Sequence, residues 1–297
     1  MRRLRLGLLG YVVTAAAVAL AVVPVSEPAG AGAHDAPGVQ RILVVGDSAA
    51  DSLTPYLRQA AAPLGIEVFS AAIPGCGVID GVTVDATGSP FIDLIYDTGV
   101  CPGVAPRLQV EKVAEHEPDL VIWLSGWETW PNRILDGRMV EFGTIEGNMA
   151  IAGAVDRAVQ RLTAAGGHVV MLPLAPNAFP NEYANPVDPE DTVAKQKLAG
   201  LMRSYGRHHT DTTSVVDLAD LLCPGGPPCP DEVAPGIRPR PVDGYHFEGP
   251  GATWLAERIL DLALAPAPAY ALSLTLPVPC TNAGIGDPPP RDPGHCP

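Results

Sequence analysis

A chain of 297 residues has room for up to two domains at about 150 residues each, and its 47% hydrophobic content excludes a disordered protein despite 33 prolines and 31 glycines. A formal net charge of −14 excludes recognition of nucleic acid, or of an anionic membrane, through a basic surface. The N-terminus reads as a leader. Arg2, Arg3 and Arg5 precede an apolar stretch from Leu6 to Val25, and Ala31-Gly32-Ala33 follows as a small-residue cleavage site. Residues 1–33 are therefore expected to be a signal peptide, with the protein secreted or kept in the cell envelope. It would touch a membrane only if the leader stayed uncleaved as an anchor.

The next apolar run, Arg41-Ile-Leu-Val-Val-Gly46, is short, continuous and stopped by glycine, the pattern of a strand buried on both faces. Ile66 to Ser70, Asp119 to Leu124 and His168 to Pro173 read alike, and Ser214 to Leu218 is a weaker fifth. Helical periodicity lies between and after them: Leu53 to Ala62, Ala105 to His116, Asn148 to Ala165, Thr192 to His208 and Ala252 to Leu264. Strands alternating with helices predict an α/β fold with a parallel sheet covered on both faces. Beyond Ala265 the chain turns proline-rich, so residues 266–297 are expected to be an appended tail and residues 34–265 one domain.

Six cysteines in an exported chain suggest disulfides. Fifteen connectivities are open to six cysteines. Proximity favours Cys76 with Cys101, Cys223 with Cys229 and Cys280 with Cys296. No Cys-x-x-Cys or His-Glu-x-x-His occurs, no phosphate-binding lysine loop is present, and Gly75, Gly77 and Gly81 miss the dinucleotide spacing. Neither a metal nor a cofactor is expected.

In a parallel sheet, ligands sit beyond the carboxyl ends of the strands. There the first strand runs into Gly46-Asp47-Ser48, a serine in a tight strand-to-helix turn with helix N-terminal amides beside it. Read alone, Asp47 or Ser48 is simply a helix cap. The other end of the domain changes this, because Asp243-Gly-Tyr-His246 precedes the last helix. An aspartate three residues before a histidine can hold its tautomer and leave the second ring nitrogen free to take a proton from a serine.

These blocks resemble the SGNH (GDSL-like) hydrolase superfamily. Gly46-Asp47-Ser48 matches its first block, Ile73-Pro74-Gly75-Cys76-Gly77 its second, and Asp243-x-x-His246 its last. Leu124-Ser-Gly-Trp-Glu128, Cys101 and Leu222-Cys-Pro224 also look like exported SGNH domains linked to actinobacterial membrane acyltransferases; without a multi-span domain here, the expectation is a free-standing relative. The resemblance implies a flavodoxin-like three-layer α/β/α sandwich with a five-stranded parallel sheet. It also implies Ser48 as nucleophile, His246 as base, Asp243 as its orienting partner, and the backbone amides of Ser48 and Gly75 as oxyanion donors.

The chain departs from the family at its third block. Gly126-Trp127-Glu128-Thr129 puts a glutamate where an oxyanion-donating asparagine is usual, and a carboxylate cannot donate. The Trp127 N–H or the Thr129 hydroxyl would have to substitute. Asp47, Trp127, Glu128 and Thr129 are accordingly expected to line the substrate, with Trp127 and Trp130 offering aromatic faces for a sugar or an acyl chain. Arg240 could steady an anionic substrate or pair with a surface carboxylate, and the second reading is preferred. The leading expectation is a secreted serine esterase whose substrate is an acyl ester or an acylated glycan. A cell-envelope glycan O-acyltransferase and a catalytically weak glycan-binding module are the alternatives.

Overall fold

The computed structural model describes residues 38–84, 88, 100–129, 132–178 and 189–265. The leader, the tail, the Cys280 with Cys296 pairing and Trp130 lie outside the described residues.

Five parallel strands form the main sheet in the order β2-β1-β4-β7-β8: β1 (Arg41–Gly46), β2 (Glu67–Ser70), β4 (Leu120–Leu124), β7 (His168–Met171) and β8 (Thr213–Val215). Alternation along β1 shows why these runs are continuously apolar. Ile42 and Val44 pack under α1 (Ser48–Ala61) and α6 (Gly249–Ala263), while Leu43 and Val45 face α3 (Ile145–Leu162) and part of α4 (Pro189–His208) on the opposite side. With both faces buried, neither needs a polar residue. Trp123 fills the second face and is fully buried.

The fifth strand ends at Val215 rather than Leu218. Asp217 caps a short helix, α5 (Leu218–Leu222), its carboxylate accepting the Ala219 N–H at 3.0 Å. Caps also start α1 and α3 ahead of their apolar faces: Asp47 accepts from Ala49 N at 2.8 Å and Thr144 from Gly147 N at 3.0 Å. The helix α2 (Val100–His116) likewise starts before the expected Ala105.

A second, antiparallel sheet is absent from the sequence reading: β3 (Val82–Val84), β5 (Asn132–Leu135) and β6 (Arg138–Glu141), in the order β3-β5-β6. The signal was there in Asp136-Gly137, which joins β5 to β6 with both residues at positive φ, 50° and 74°. An Asp-Gly pair is the favoured two-residue turn of a hairpin. This sheet continues the chain from both glycine-containing loops at the carboxyl edge of the main sheet. Disulfides join Cys76 to Cys101 and Cys223 to Cys229, which agrees with pairing by proximity.

Candidate active site

Helices α1 and α6 share one layer, and both begin at the carboxyl edge of the sheet. The first residue of α1 therefore meets the loop that leads into α6. That loop is docked along α1 by two backbone donors, Phe247 N to Ser52 Oγ at 3.1 Å and Gly249 N to the Tyr56 hydroxyl at 2.8 Å. Ser48, Ser52 and Tyr56 are spaced by four, so one stripe of the helix carries the serine and both docking groups.

The consequence is a linear hydrogen-bonded chain. Ser48 Oγ lies 2.8 Å from His246 Nε2, and His246 Nδ1 lies 2.5 Å from Asp243 Oδ2. Asp243 Oδ1 accepts the backbone N–H groups of Tyr245 and His246 at 2.8 and 2.7 Å. Burial pushes the Asp243 carboxyl up, but the bond from the His246 ring and these two amides outweigh it and hold it below its ordinary value. An ionised Asp243 only accepts, so Nδ1 carries the imidazole proton and Nε2 accepts from the serine hydroxyl. Such a chain can deprotonate Ser48 as it attacks an electrophile.

A family model described as "SGNH domain (fused to AT3 domains)" matches residues 22–261. The chain belongs to this SGNH family. Among solved structures, it is similar to the periplasmic domain of a Salmonella serovar Paratyphi A lipopolysaccharide acetyltransferase, at 13% identity over 77% of this chain and 85% of that one, with a TM-score of 0.48. A GDSL-like lipase from Bacteroides thetaiotaomicron aligns at 11% identity over 76% and 87%, TM-score 0.45. The C-terminal catalytic domain of Streptococcus pneumoniae peptidoglycan O-acetyltransferase A, with a methylsulfonyl adduct, aligns at 13% over 78% and 97%, TM-score 0.40. No curated protein sequence matches the chain.

The second SGNH block lies beside the first because Ile73 N donates to Gly46 O at 2.9 Å. Pro74 and Gly75 are the central residues of a turn closed by Cys76 N to Ile73 O at 3.0 Å, with Gly75 at φ 79°, the geometry of a type II turn. Only the fourth residue's N–H is engaged by such a turn. The Ser48 N–H, at the start of α1, has no acceptor within the helix either.

At the first and third blocks the structure corrects the sequence reading. Asp47 is fully buried, not on the substrate surface. Its Oδ1 caps α1, and its Oδ2 accepts from Gly126 N at 2.7 Å, Ser125 Oγ at 3.2 Å and the Tyr245 hydroxyl at 3.3 Å. It thus ties the first, third and last blocks together. Glu128 is also fully buried, its Oε1 accepting the Val78 N–H at 2.6 Å and the Ile79 N–H at 3.3 Å. The Thr129 hydroxyl is used internally, donating to Gly126 O at 2.6 Å, and the Trp127 N–H goes to Ser125 Oγ at 3.2 Å. Of these four residues only the Trp127 side chain keeps appreciable exposure.

Arg240 is corrected as well. It is buried, its Nη1 donating to the Pro176 carbonyl at 2.7 Å, and burial pulls its guanidinium down to about 10. That hydrogen bond ties the residue three before Asp243 to the loop after β7. Tyr245, Ser52, Tyr56 and Ser125 join the site without belonging to the catalytic positions of the motifs. The four-residue spacing of Ser48, Ser52 and Tyr56 was the available signal. Lys195, buried in α4, donates to Asn177 Oδ1 at 2.9 Å and sits 5.2 Å above the Tyr245 ring, backing the residue next to His246. Among the described residues no group of three or more His, Cys, Asp or Glu is placed to hold a metal ion.

Burial pushes the Asp47 carboxyl up to about 6, and the N–H groups of Gly126 and Ala49 only partly offset this. Between the unfolded value near 4 and this one, the folded protein binds more protons than the unfolded chain, so stability falls as pH rises through that window. Asp47→Asn does not titrate. Relative to wild type its stability should climb between pH 4 and 7 by up to about 3 kcal/mol, whatever constant offset its altered hydrogen bonds add. Thermal melts of both proteins across that range check this, and a parallel pH dependence would contradict it.

Proposed function

We propose that this protein is an exported enzyme that cleaves acyl esters through a covalent acyl-Ser48 intermediate. The observation that carries the reading is the unbroken chain from Ser48 Oγ through His246 to an ionised Asp243. As Ser48 Oγ attacks the acyl carbonyl, its proton passes to His246 Nε2, and the negative charge on the carbonyl oxygen is met by the N–H groups of Ser48 and Gly75. Collapse expels the alcohol, which takes that proton from His246. Water then gives a proton to His246, attacks the acyl-enzyme and releases the acid and free Ser48. Two disulfides and the leader-like N-terminus support export.

A second reading replaces that water with a glycan hydroxyl, making the protein an O-acyltransferase of the cell envelope. The family description, which couples the domain to AT3 domains, favours it. The two share every step up to the acyl-enzyme. Incubating the purified protein with p-nitrophenyl acetate, butyrate and octanoate, with and without oligosaccharide acceptors, separates them by mass spectrometry of the products. Free acid at the same rate in every mixture is the result expected for hydrolysis. Acylated sugar formed at the expense of free acid would establish transfer. No p-nitrophenol release and no labelling of Ser48 by a phosphonate would overturn both.

A further inference from the structure

Glu128 stands where the resemblance places an oxyanion-donating asparagine, yet its carboxylate points into the protein and accepts two backbone N–H groups, from Val78 and Ile79. Those residues follow directly on Gly75-Cys76-Gly77, so Glu128 grips the chain three residues past Gly75. A glycine-rich segment is conformationally free by itself, and a backbone amide stabilises an oxyanion only if it is held in place beforehand. Upstream, the segment is fixed by Ile73 N to Gly46 O, and at its middle residue by the Cys76–Cys101 disulfide. Downstream, Glu128 holds its N–H groups while Arg161 Nη2 takes the Val78 carbonyl and Arg133 Nη1 the Asp80 carbonyl at 3.3 Å.

Gly77 completes the fit. A Cβ at this position would lie 2.9 Å from Glu128 Oε1 and 3.4 Å from Trp127 Cβ, so the second glycine of the block is what lets the carboxylate approach. Charge is offset nearby by Arg133, buried in β5, whose Nη2 donates to the Trp127 carbonyl at 2.7 Å. Burial pulls the Arg133 guanidinium down, and the Glu128 and Asp80 charges oppose this.

We infer that Glu128 is a positioning residue for the ester chemistry proposed at Ser48, holding the Gly75 amide ready for the oxyanion by gripping Val78 and Ile79 from behind. The inference rests on that reading of Ser48. It differs from the family pattern in that the third-block side chain supports an oxyanion donor instead of being one.

Two substitutions separate reach from charge. Glu128→Gln keeps the length and a carbonyl acceptor, whereas Glu128→Asp keeps the charge but is one methylene short of both amides. With a p-nitrophenyl ester, Glu128→Gln should retain kcat within about threefold, while Glu128→Asp should lose roughly 10- to 100-fold in kcat with KM within about twofold. The inhibition constant of an alkylboronic acid, which mimics the tetrahedral oxyanion, should rise by the same factor in Glu128→Asp. The reverse ranking, equal activities, or lost kcat with unchanged boronate binding overturns the inference. If the variants fail to fold, amide hydrogen exchange of the wild type decides: Val78 and Ile79 should be protected like β4, and rapid exchange overturns it. A wild type that turns over no ester overturns the Ser48 reading instead. Slow exchange in that same protein would leave Glu128 a structural clamp only, and the inference would fall too.

Discussion

Ser48→Ala is expected to lower ester turnover by about 10⁴-fold or more and to leave the melting temperature within about 2 °C of wild type. The size follows from the serine's role in the proposed mechanism: with no Oγ there is no acyl-enzyme, and what survives is the background catalysis of a site that still binds and polarises an ester. The small effect on stability follows from geometry. The serine hydroxyl makes its hydrogen bond to His246 Nε2 at 2.8 Å, while the cap that starts α1 belongs to Asp47 and survives the substitution. Alanine is also a better helix former at the first position of α1. Rates with p-nitrophenyl butyrate and a thermal melt on the same preparations check both halves. Turnover within tenfold of wild type would remove Ser48 from the mechanism, and a melt lowered by 10 °C or more would mean the lost activity reports unfolding.

Gly46→Ala is expected to act through the fold instead. A Cβ there would lie 1.7 Å from the Leu124 carbonyl oxygen, 2.7 Å from its carbon and 2.8 Å from Ala50 Cβ. Gly46 is paired with Leu124 in the register of β1 on β4, two central strands, so the carbonyl cannot swing aside without breaking the ladder. Its φ of 146° is itself a conformation that L side chains rarely adopt. Overpacking and strain together predict a loss of about 4 kcal/mol or more, a large share of the stability of an ordinary domain. Denaturant titration followed by circular dichroism measures it. A loss below about 1 kcal/mol would mean that β1 and β4 can separate at this end, which would also loosen the seat of Asp47 and Ser48.

The two substitutions flank Asp47, and the contrast locates its role. Position 48 holds the hydroxyl proposed as the nucleophile, position 46 holds the backbone close to Leu124, and Asp47 between them binds Gly126, Ser125 and Tyr245. Among carboxylates near the serine, the buried ones, Asp47 and Glu128, organise backbone. Asp243, which keeps some exposure, touches the histidine.

By itself the sequence determined the parallel sheet, because a strand covered on both faces needs no polar residue, and the central runs of β1 and β4 show this while the edge strands β2 and β8 carry polar residues. The Gly46-Asp47-Ser48 and Asp243-x-x-His246 motifs were legible too, through their resemblance to SGNH blocks, and the structure places the three side chains in one hydrogen-bonded row. Pairing of Cys76 with Cys101 and Cys223 with Cys229 was legible from proximity. Only the tertiary structure decided where the loop side chains point. A strand has a period that assigns each residue a face, but the loops carrying Asp47, Glu128, Thr129 and Arg240 have none, so residue type alone suggested a surface role for groups that lie inside. Their partners are also remote in sequence: Glu128 binds an amide 50 residues away and Asp47 one 79 residues away. Such contacts exist only once β1 and β4 are side by side and the small β3-β5-β6 sheet has drawn the ends of both loops together.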